Sequence, residues 1–290
     1  MKILFVGVFD NLGKSTNNSQ IINLKKHGHN VVGYNYRIKA TRIGQGERDK
    51  DLSAVIADRN FDLVLFSKCN QVSYNVFTGA KKHSKTCLWF MDPLISYDKE
   101  MREKTGLVDF FCCDKKNVLA AALKINKNSF HVCEGFDELV EFPKNISKDY
   151  DISFIGNIYG EREEWLRNIK KPVTIFSNVF TTDHSEKVSR TKINLNFCTD
   201  GGASDRVYKV LAAGGFLISN DWDGRSDMFE ENKDLVIFTD IKDLNDKINY
   251  YLNNPGKREE IAKHGNRTVQ KYNRFSWAQQ IINIHERLHR

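Results

Sequence analysis

Apolar and polar positions along this chain alternate between two periods. Short runs rich in β-branched and aromatic residues recur at Ile3 to Phe9, Asn30 to Tyr36, Leu63 to Ser67, Thr86 to Met91, Val108 to Cys113 and Phe130 to Cys133, and helix-like spacing fills most of the intervals. That alternation predicts one doubly wound α/β half. A polar segment with Pro143, Glu138 to Tyr150, then reads as a crossing between domains. A second series follows at Asp151 to Ile155, Val173 to Phe176, Ile193 to Phe197, Phe216 to Ser219 and Leu235 to Phe238. The chain closes on helical patterns over Asp243 to Leu252, Lys257 to Tyr272 and Ser276 to Leu288, with Ser276 as the expected N-cap. The expected fold is α/β, with two Rossmann-like doubly wound domains, 1–145 and 151–275, and a helix over 276–290 placed to pack back on the first domain. Two such domains facing each other would form a central cleft at the carboxyl ends of their strands, where ligands of these folds bind.

Composition narrows the class. The 290 residues are 40% hydrophobic and 11% aromatic, enough for two cores, and no apolar run approaches the roughly 20 residues of a membrane helix. Six cysteines at 69, 87, 112, 113, 133 and 198 sit mostly in apolar strands without paired C-x-x-C spacing, which predicts buried free thiols in a cytoplasmic protein. The net charge of +7 is uneven, since residues 1–145 hold 22 Lys and Arg against 16 Asp and Glu. Between Asn11 and Gly46 lie Lys14, Lys25, Lys26, Arg37, Lys39 and Arg42 with no carboxylate, interleaved with Tyr34 and Tyr36. Such a patch attracts polyanions and can stack bases, although a basic solvated surface gives the same count.

The most informative chemistry lies in Ile193 to Asn220, INLNFCTDGGASDRVYKVLAAGGFLISN. An apolar strand, a Gly-Gly-Ala-Ser loop, a helix opening with Asp205-Arg206 and a Gly214-Gly215 turn into a second strand together suit a nucleoside diphosphate. Backbone N–H groups at a helix start favour anions, and a guanidinium matches phosphate oxygens. An ordinary βαβ crossover carrying a solvated arginine would leave the same pattern.

Beyond that stretch, DISFIGN at Asp151–Asn157 with Arg162, the INLNF strand, Ser204-Asp205-Arg206-Val207-Tyr208 running into LAAGG, Asp234-LVIF and NNPGKREEIAKHGNRTV appear in an order and spacing that resembles the GT-B glycosyltransferases, specifically the CgeB-like, spore maturation protein-like group. LWFMDP and EGFDELVEFP resemble that group's N-terminal domain more weakly. The resemblance implies a metal-independent transfer of a sugar from a nucleotide-sugar co-substrate, UDP-sugar being the first choice, with the donor held by the second domain and no tightly bound cofactor. Gly156 and Asn157 would let the donor approach the backbone, Arg206 would meet its diphosphate, and Gly201, Gly202, Ala203 and Ser204 would add N–H donors. Many GT-B enzymes hold the ribose with a Glu where this chain has Lys209. Asp205, one turn earlier, is a substitute, and Lys209 either reaches a phosphate or pairs with Asp205.

An inverting transfer also needs a general base. Asp92, ending the CLWFM strand before Pro93, is the first candidate and Asp10, after the first strand, the second; either could instead be a turn former. Lys14, Arg37, Lys39 and Arg42 are the expected acceptor contacts. Several other motifs fail: Gly13-Lys14-Ser15 lacks the P-loop glycine because position 8 is Val8, Asp221-Trp222-Asp223 reads as a loop lining the donor cleft, and His27-Gly28-His29 as a helix end, so no metal is expected. Three functions remain at this level: a glycosyltransferase acting on a polyanion such as hydroxymethylated DNA, one acting on a surface glycan or protein, and a non-catalytic nucleotide-sugar or nucleic-acid binding module.

Overall fold

The computed structural model describes residues 1–10 and 13–288. Asn11 and Leu12, in the loop after Asp10, and the last two positions of the expected 276–290 helix lie outside them. The chain divides into two units, 1–134 together with 274–290, and 135–273.

In the first unit, β1 (Lys2–Gly7), α1 (Thr16–Lys26), β2 (Asn30–Asn35), α2 (Tyr36–Ile43), α3 (Gln45–Asp58), β3 (Leu63–Ser67), α4 (Tyr74–Ala80), β4 (Lys85–Phe90), α5 (Lys99–Leu107), β5 (Phe110–Cys113), α6 (Lys116–Ala122) and β6 (Ser129–His131) build a parallel sheet in the order β2-β1-β3-β4-β5-β6. In the second, β7 (Tyr150–Ile155), α7 (Glu161–Arg167), β8 (Thr174–Phe176), α8 (Thr181–Ser189), β9 (Thr191–Asn196), α9 (Asp205–Ala212), β10 (Leu217–Asn220), β11 (Val236–Phe238), α10 (Ile241–Asn253) and α11 (Pro255–Val269) build another in the order β11-β10-β9-β7-β8. Both orders read 2-1-3-4-5 within their unit, and the first adds a sixth strand. Each sheet therefore reverses direction between its first and third strands, the place where such folds bind ligands. α12 (Arg274–Arg287) belongs to the first unit.

Period-two alternation explains why the strands of the first sheet are apolar throughout. Leu4, Val6, Val64, Phe66, Leu88, Phe90, Phe111 and Cys113 fill the core on one face, and Ile3, Phe5, Leu63, Leu65, Cys87, Trp89, Phe110 and Cys112 the other. That second face is closed by Trp277, Ala278, Ile281 and Ile282 of α12, with the Trp277 ring 5.6 Å from Trp89. Each such side chain contributes about 1.5–3 kcal/mol on burial. All six cysteines are buried and stand outside any disulfide.

Two sequence expectations change. Ser276 is not an N-cap, because α12 begins at Arg274 and Ser276 sits inside its first turn. The crossing between units lies at Glu134–Gly135, ahead of the polar segment 138–150, because that segment is tied into the second unit. The N–H groups of Phe142 and Lys144 donate to Ser185 Oγ and Ser189 Oγ at 3.3 and 3.1 Å, and Lys148 Nζ donates to Thr191 O at 3.1 Å. Polarity there reflects hydrogen bonding to a neighbouring helix and strand, which composition alone reads as a linker.

Candidate functional site

The second sheet reverses between β7 and β9, and the residues leaving those two strands build the site. β9 alternates Ile193 and Leu195 toward the apolar core with Asn194 and Asn196, both buried, on the other face. After β9 the chain turns through Asp200 and Gly201, both left-handed with φ of 54° and 65°, and enters α9, whose N-cap Ser204 accepts from the Arg206 N–H at 3.3 Å. α9 stops where left-handed Gly214 donates its N–H to Leu211 O and Gly215 donates to Val210 O.

Arg206, in the first turn of α9, reaches back across the reversal point. Its Nε donates to Ile155 O at 2.5 Å and its Nη1 to Asn196 Oδ1 at 2.7 Å, while the side chain is only 8% exposed. Gly156 makes room for it: a Cβ there would fall inside contact distance of Arg206 Nη2, and its φ of 148° disfavours other residues. Arg162 of α7 lies alongside, 7% exposed, with Nη1 donating to Asn157 O at 3.1 Å, Nη2 to Thr199 Oγ1 at 3.4 Å, and its carbon Cζ 4.1 Å from the Tyr159 ring centroid. Arg162 Nε is buried without a partner. Among the described residues, every hydrogen-bond partner of these two arginines is thus neutral. Burial, and then the neighbouring Arg162 charge, lowers the Arg206 pKa to about 10, still well above neutral pH. Two desolvated cations side by side with neutral partners are an arrangement that an anion relieves.

A cavity of about 320 Å³ opens beside them, lined by Gly156, Asn157, Tyr159, Arg162, Asn178, Phe180, His184, Ser204, Asp205, Arg206 and Lys209 among others. Lys209 Nζ pairs with Asp205 Oδ2 at 2.6 Å, one turn apart on α9. His184 of α8 is buried with its Nδ1 unpartnered, and burial followed by the Lys209 charge lowers its pKa to about 3, so it is neutral. The cavity can hold an anionic head against the arginines and offers a neutral imidazole and the Asn178 to Phe180 loop to the remainder of a ligand.

Of the residues expected from the sequence, Gly156, Asn157, Ser204, Asp205, Arg206 and Lys209 line this cavity, and Gly201 and Gly202 do not. Gly202 spends its N–H on Thr199 O at 3.1 Å, so that donor is used within the loop, and Gly201 O accepts from the Asp223 N–H. Asp221 and Asp223 are likewise absent from the lining, with Asp221 paired to Arg225 at 2.7 Å. Arg162 enters the sequence pattern only alongside the DISFIGN motif, and Asn196 only as the polar half of the INLNF alternation.

In the first unit, Asp92 follows β4 at the carboxyl edge of the sheet and pairs with Lys68, which follows β3, at 2.5 Å. Asp10 is occupied differently: its carboxylate accepts from the N–H groups of Lys14 and Ser15, just ahead of α1, at 3.0 and 2.5 Å. Lys39 pairs with Asp51 at 3.1 Å, Arg37 lies over the Tyr36 ring, and Lys14 and Arg42 are exposed. Asp114, His131 and Cys133 bring one potential metal-ligating atom each within 4.8 Å of one another, but the Asp114 carboxylate already holds Lys115 Nζ and the Glu134 N–H. Among the described residues no helix is long and apolar enough to cross a membrane.

Residues 138–286 match the family model described as "Glycosyl transferase-like". The solved structure of HepE from Anabaena in complex with UDP-glucose is similar over 99% of this chain and 100% of that one, at 11% identity and a TM-score of 0.74. A glycosyltransferase from Rickettsia africae is similar over 100% and 98% at 12% identity and a TM-score of 0.71, and sucrose-phosphate synthase from Thermosynechococcus elongatus over 100% and 99% at 11% and 0.71. At such identities these likenesses establish the fold, which is the GT-B arrangement of two parallel-sheet Rossmann-like domains. No curated protein matches the chain.

Proposed function

Since this chain belongs to the glycosyl transferase-like family, we propose that it moves a sugar from a nucleotide-sugar donor, a UDP-sugar first, to an acceptor hydroxyl, with the donor's pyrophosphate held by Arg206 and Arg162. The observation that carries this reading is Arg206 itself: buried, fixed to Ile155 O and Asn196, partnered by neutral groups, and facing a cavity of about 320 Å³ at the strand-order reversal. UDP-glucose bound to the similar HepE structure supports the choice of nucleotide. As the bond from the anomeric carbon to the pyrophosphate breaks, negative charge grows on the leaving diphosphate, and preorganised guanidinium groups in a dry site stabilise it most at that moment. Asp92 is the proposed base that takes the acceptor proton, with Lys68 positioning its carboxylate. The Lys209–Asp205 pair takes the place of a single ribose-binding Glu, Asp205 accepting from the ribose hydroxyls. Within the family, DISFIGN and the segment around Arg206 favour the CgeB-like group.

On the acceptor side the finer proposal is a polyanion, modified DNA first. Lys14, Arg37 and Arg42 support it as exposed cations in a stretch without carboxylates, while Lys39 contributes less because Asp51 neutralises it. A steep fall of duplex affinity with salt is its signature; salt-independent binding, or none, assigns the acceptor to a neutral glycan or protein. The donor proposal is tested by a nucleotide-sugar panel read by thermal shift. A ligand selective for the native state raises Tm, and the shift is expected with UDP-sugars and lost in Arg206→Ala; a panel in which nothing shifts Tm overturns it.

A further inference from the structure

A second cavity, of about 300 Å³, lies at the opposite edge of the same sheet, where β7, β9 and β10 begin. The six residues of β7 separate the two edges by about 20 Å at roughly 3.3 Å per residue. Its apolar walls are Pro143, Phe216 and Ala262, and its charged groups include Lys148, Arg258 and Lys263. Arg258 is 8% exposed and donates from Nη1 to Tyr251 O at 2.7 Å, at the end of α10. Lys148 turns its ammonium inward to Thr191 O. Burial lowers the pKa of both, and Arg258 lowers that of Lys148 further, so the two cations repel across the cavity. Lys192, also in the lining, is neutralised by Asp151 at 2.6 Å. Three cations against the single carboxylate of Glu259 leave a surplus of two positive charges beside an apolar pocket.

We propose that this cavity is a second ligand site, for an organic phosphate whose dianionic head sits between Lys148 and Arg258 and whose apolar body rests on Pro143, Phe216 and Ala262. A phosphomonoester matches the surplus charge, and the apolar wall distinguishes it from inorganic phosphate. The site is separate from the one beside Arg206 and does not depend on the donor proposal.

The test is titration calorimetry on the full chain with octyl phosphate below its micellar concentration, inorganic phosphate and octanol, together with cosedimentation on phosphatidylcholine vesicles with and without phosphatidic acid. Octyl phosphate is expected to bind at least about tenfold more tightly than either control, a difference of about 1.4 kcal/mol. That preference is expected to disappear in Lys148→Glu, whose fold is checked by its urea midpoint, and in Ala262→Leu, which fills the cavity, while surviving in Arg206→Ala. Capture by phosphatidic acid vesicles alone, lost in the same two variants, supports the site with a lipid headgroup as the source. Equal affinity for all three solutes, binding that neither variant changes, or no binding to solute or vesicle overturns it.

Discussion

The two units share one strand order and treat buried positive charge in opposite ways. In the first, Arg48 pairs with Asp49 at 2.6 Å, Lys104 with Glu100, Lys115 with Asp114 and Arg274 with Glu134, all four cations being buried. In the second, Arg162, Arg206 and Arg258 are also buried, though slightly less so, and hydrogen-bond to carbonyls, a hydroxyl and an amide. A cation buried against its own carboxylate is structural, because removing either partner strands the other. One buried against neutral groups keeps its charge available. The first unit uses its cations to hold backbone: Lys104 donates to Cys69 O at 2.8 Å and Arg48 to Gln71 O at 2.6 Å, gripping a loop in which Lys68, Cys69 and Gln71 are all left-handed. That loop carries the Lys68 that meets Asp92. Shared topology thus delivers a clamped carboxylate beside the first sheet and, beside the second, guanidinium groups hydrogen-bonded to neutral partners.

The contrast is broken most directly by a pair of arginine deletions. Arg206→Ala is expected to cut turnover by about 10²–10³-fold, the usual effect of losing one charge-stabilising donor, with a stability loss of about 1–3 kcal/mol from the acceptors Ile155 O and Asn196 Oδ1 it leaves unsatisfied. Arg48→Ala is expected to cost roughly 3 kcal/mol of stability and leave donor affinity unchanged in calorimetry. Equal effects of the two on both readouts would dissolve the distinction. Asp92→Asn is expected to lower turnover by at least about 10²-fold, the range for a lost general base, with donor binding intact; unchanged turnover removes Asp92 from the mechanism.

Gly156→Ala sharpens the same comparison more gently. The added methyl displaces the Arg206 guanidinium and weakens donor binding by about tenfold, and overpacking lowers stability by about 1–3 kcal/mol. Acid sensitivity is expected to concentrate in the second unit. His184 is held neutral down to about pH 3, whereas the unfolded chain takes up that proton near 6.5. Its contribution to stability is therefore complete above about pH 6.5 and declines as pH falls toward 3, by at most about 1.4 kcal/mol per pH unit. Urea midpoints at pH 7 and pH 5 should differ less in His184→Asn than in the parent. The smallest effect belongs to Arg42→Ala, exposed on α2, which is expected to change stability by less than about 0.5 kcal/mol and, if the acceptor is DNA, to reduce the salt slope by about one.

Strands were legible in the sequence because parallel strands covered on both faces are apolar throughout, and the fold class followed from their alternation with helices. Gly156 and Arg206 stood out as a strand-end glycine and a first-turn arginine. Their mutual contact did not, because it depends on β7 and β9 being neighbours although β8 and two helices intervene in the chain. Asn196 as the anchor of Arg206 is invisible for the same reason. The Gly201-Gly202 loop misleads for a different one: glycine content reveals freedom to turn, but the turn adopted consumes the Gly202 N–H within the loop. The unit division differs from the expected crossing because a polar strap hydrogen-bonded to Ser185 and Ser189 has the composition of a linker.

The return of α12 to the first unit bears on how the protein is made. Trp277, Ala278, Ile281 and Ile282 complete a core whose other members come from residues 3–132, whereas the second unit is continuous from 135 to 273. On the ribosome the second unit can close while the first still exposes the Trp89 face of its sheet. The half begun earlier is finished later, because the Trp89 face of its sheet stays uncovered until α12 is made.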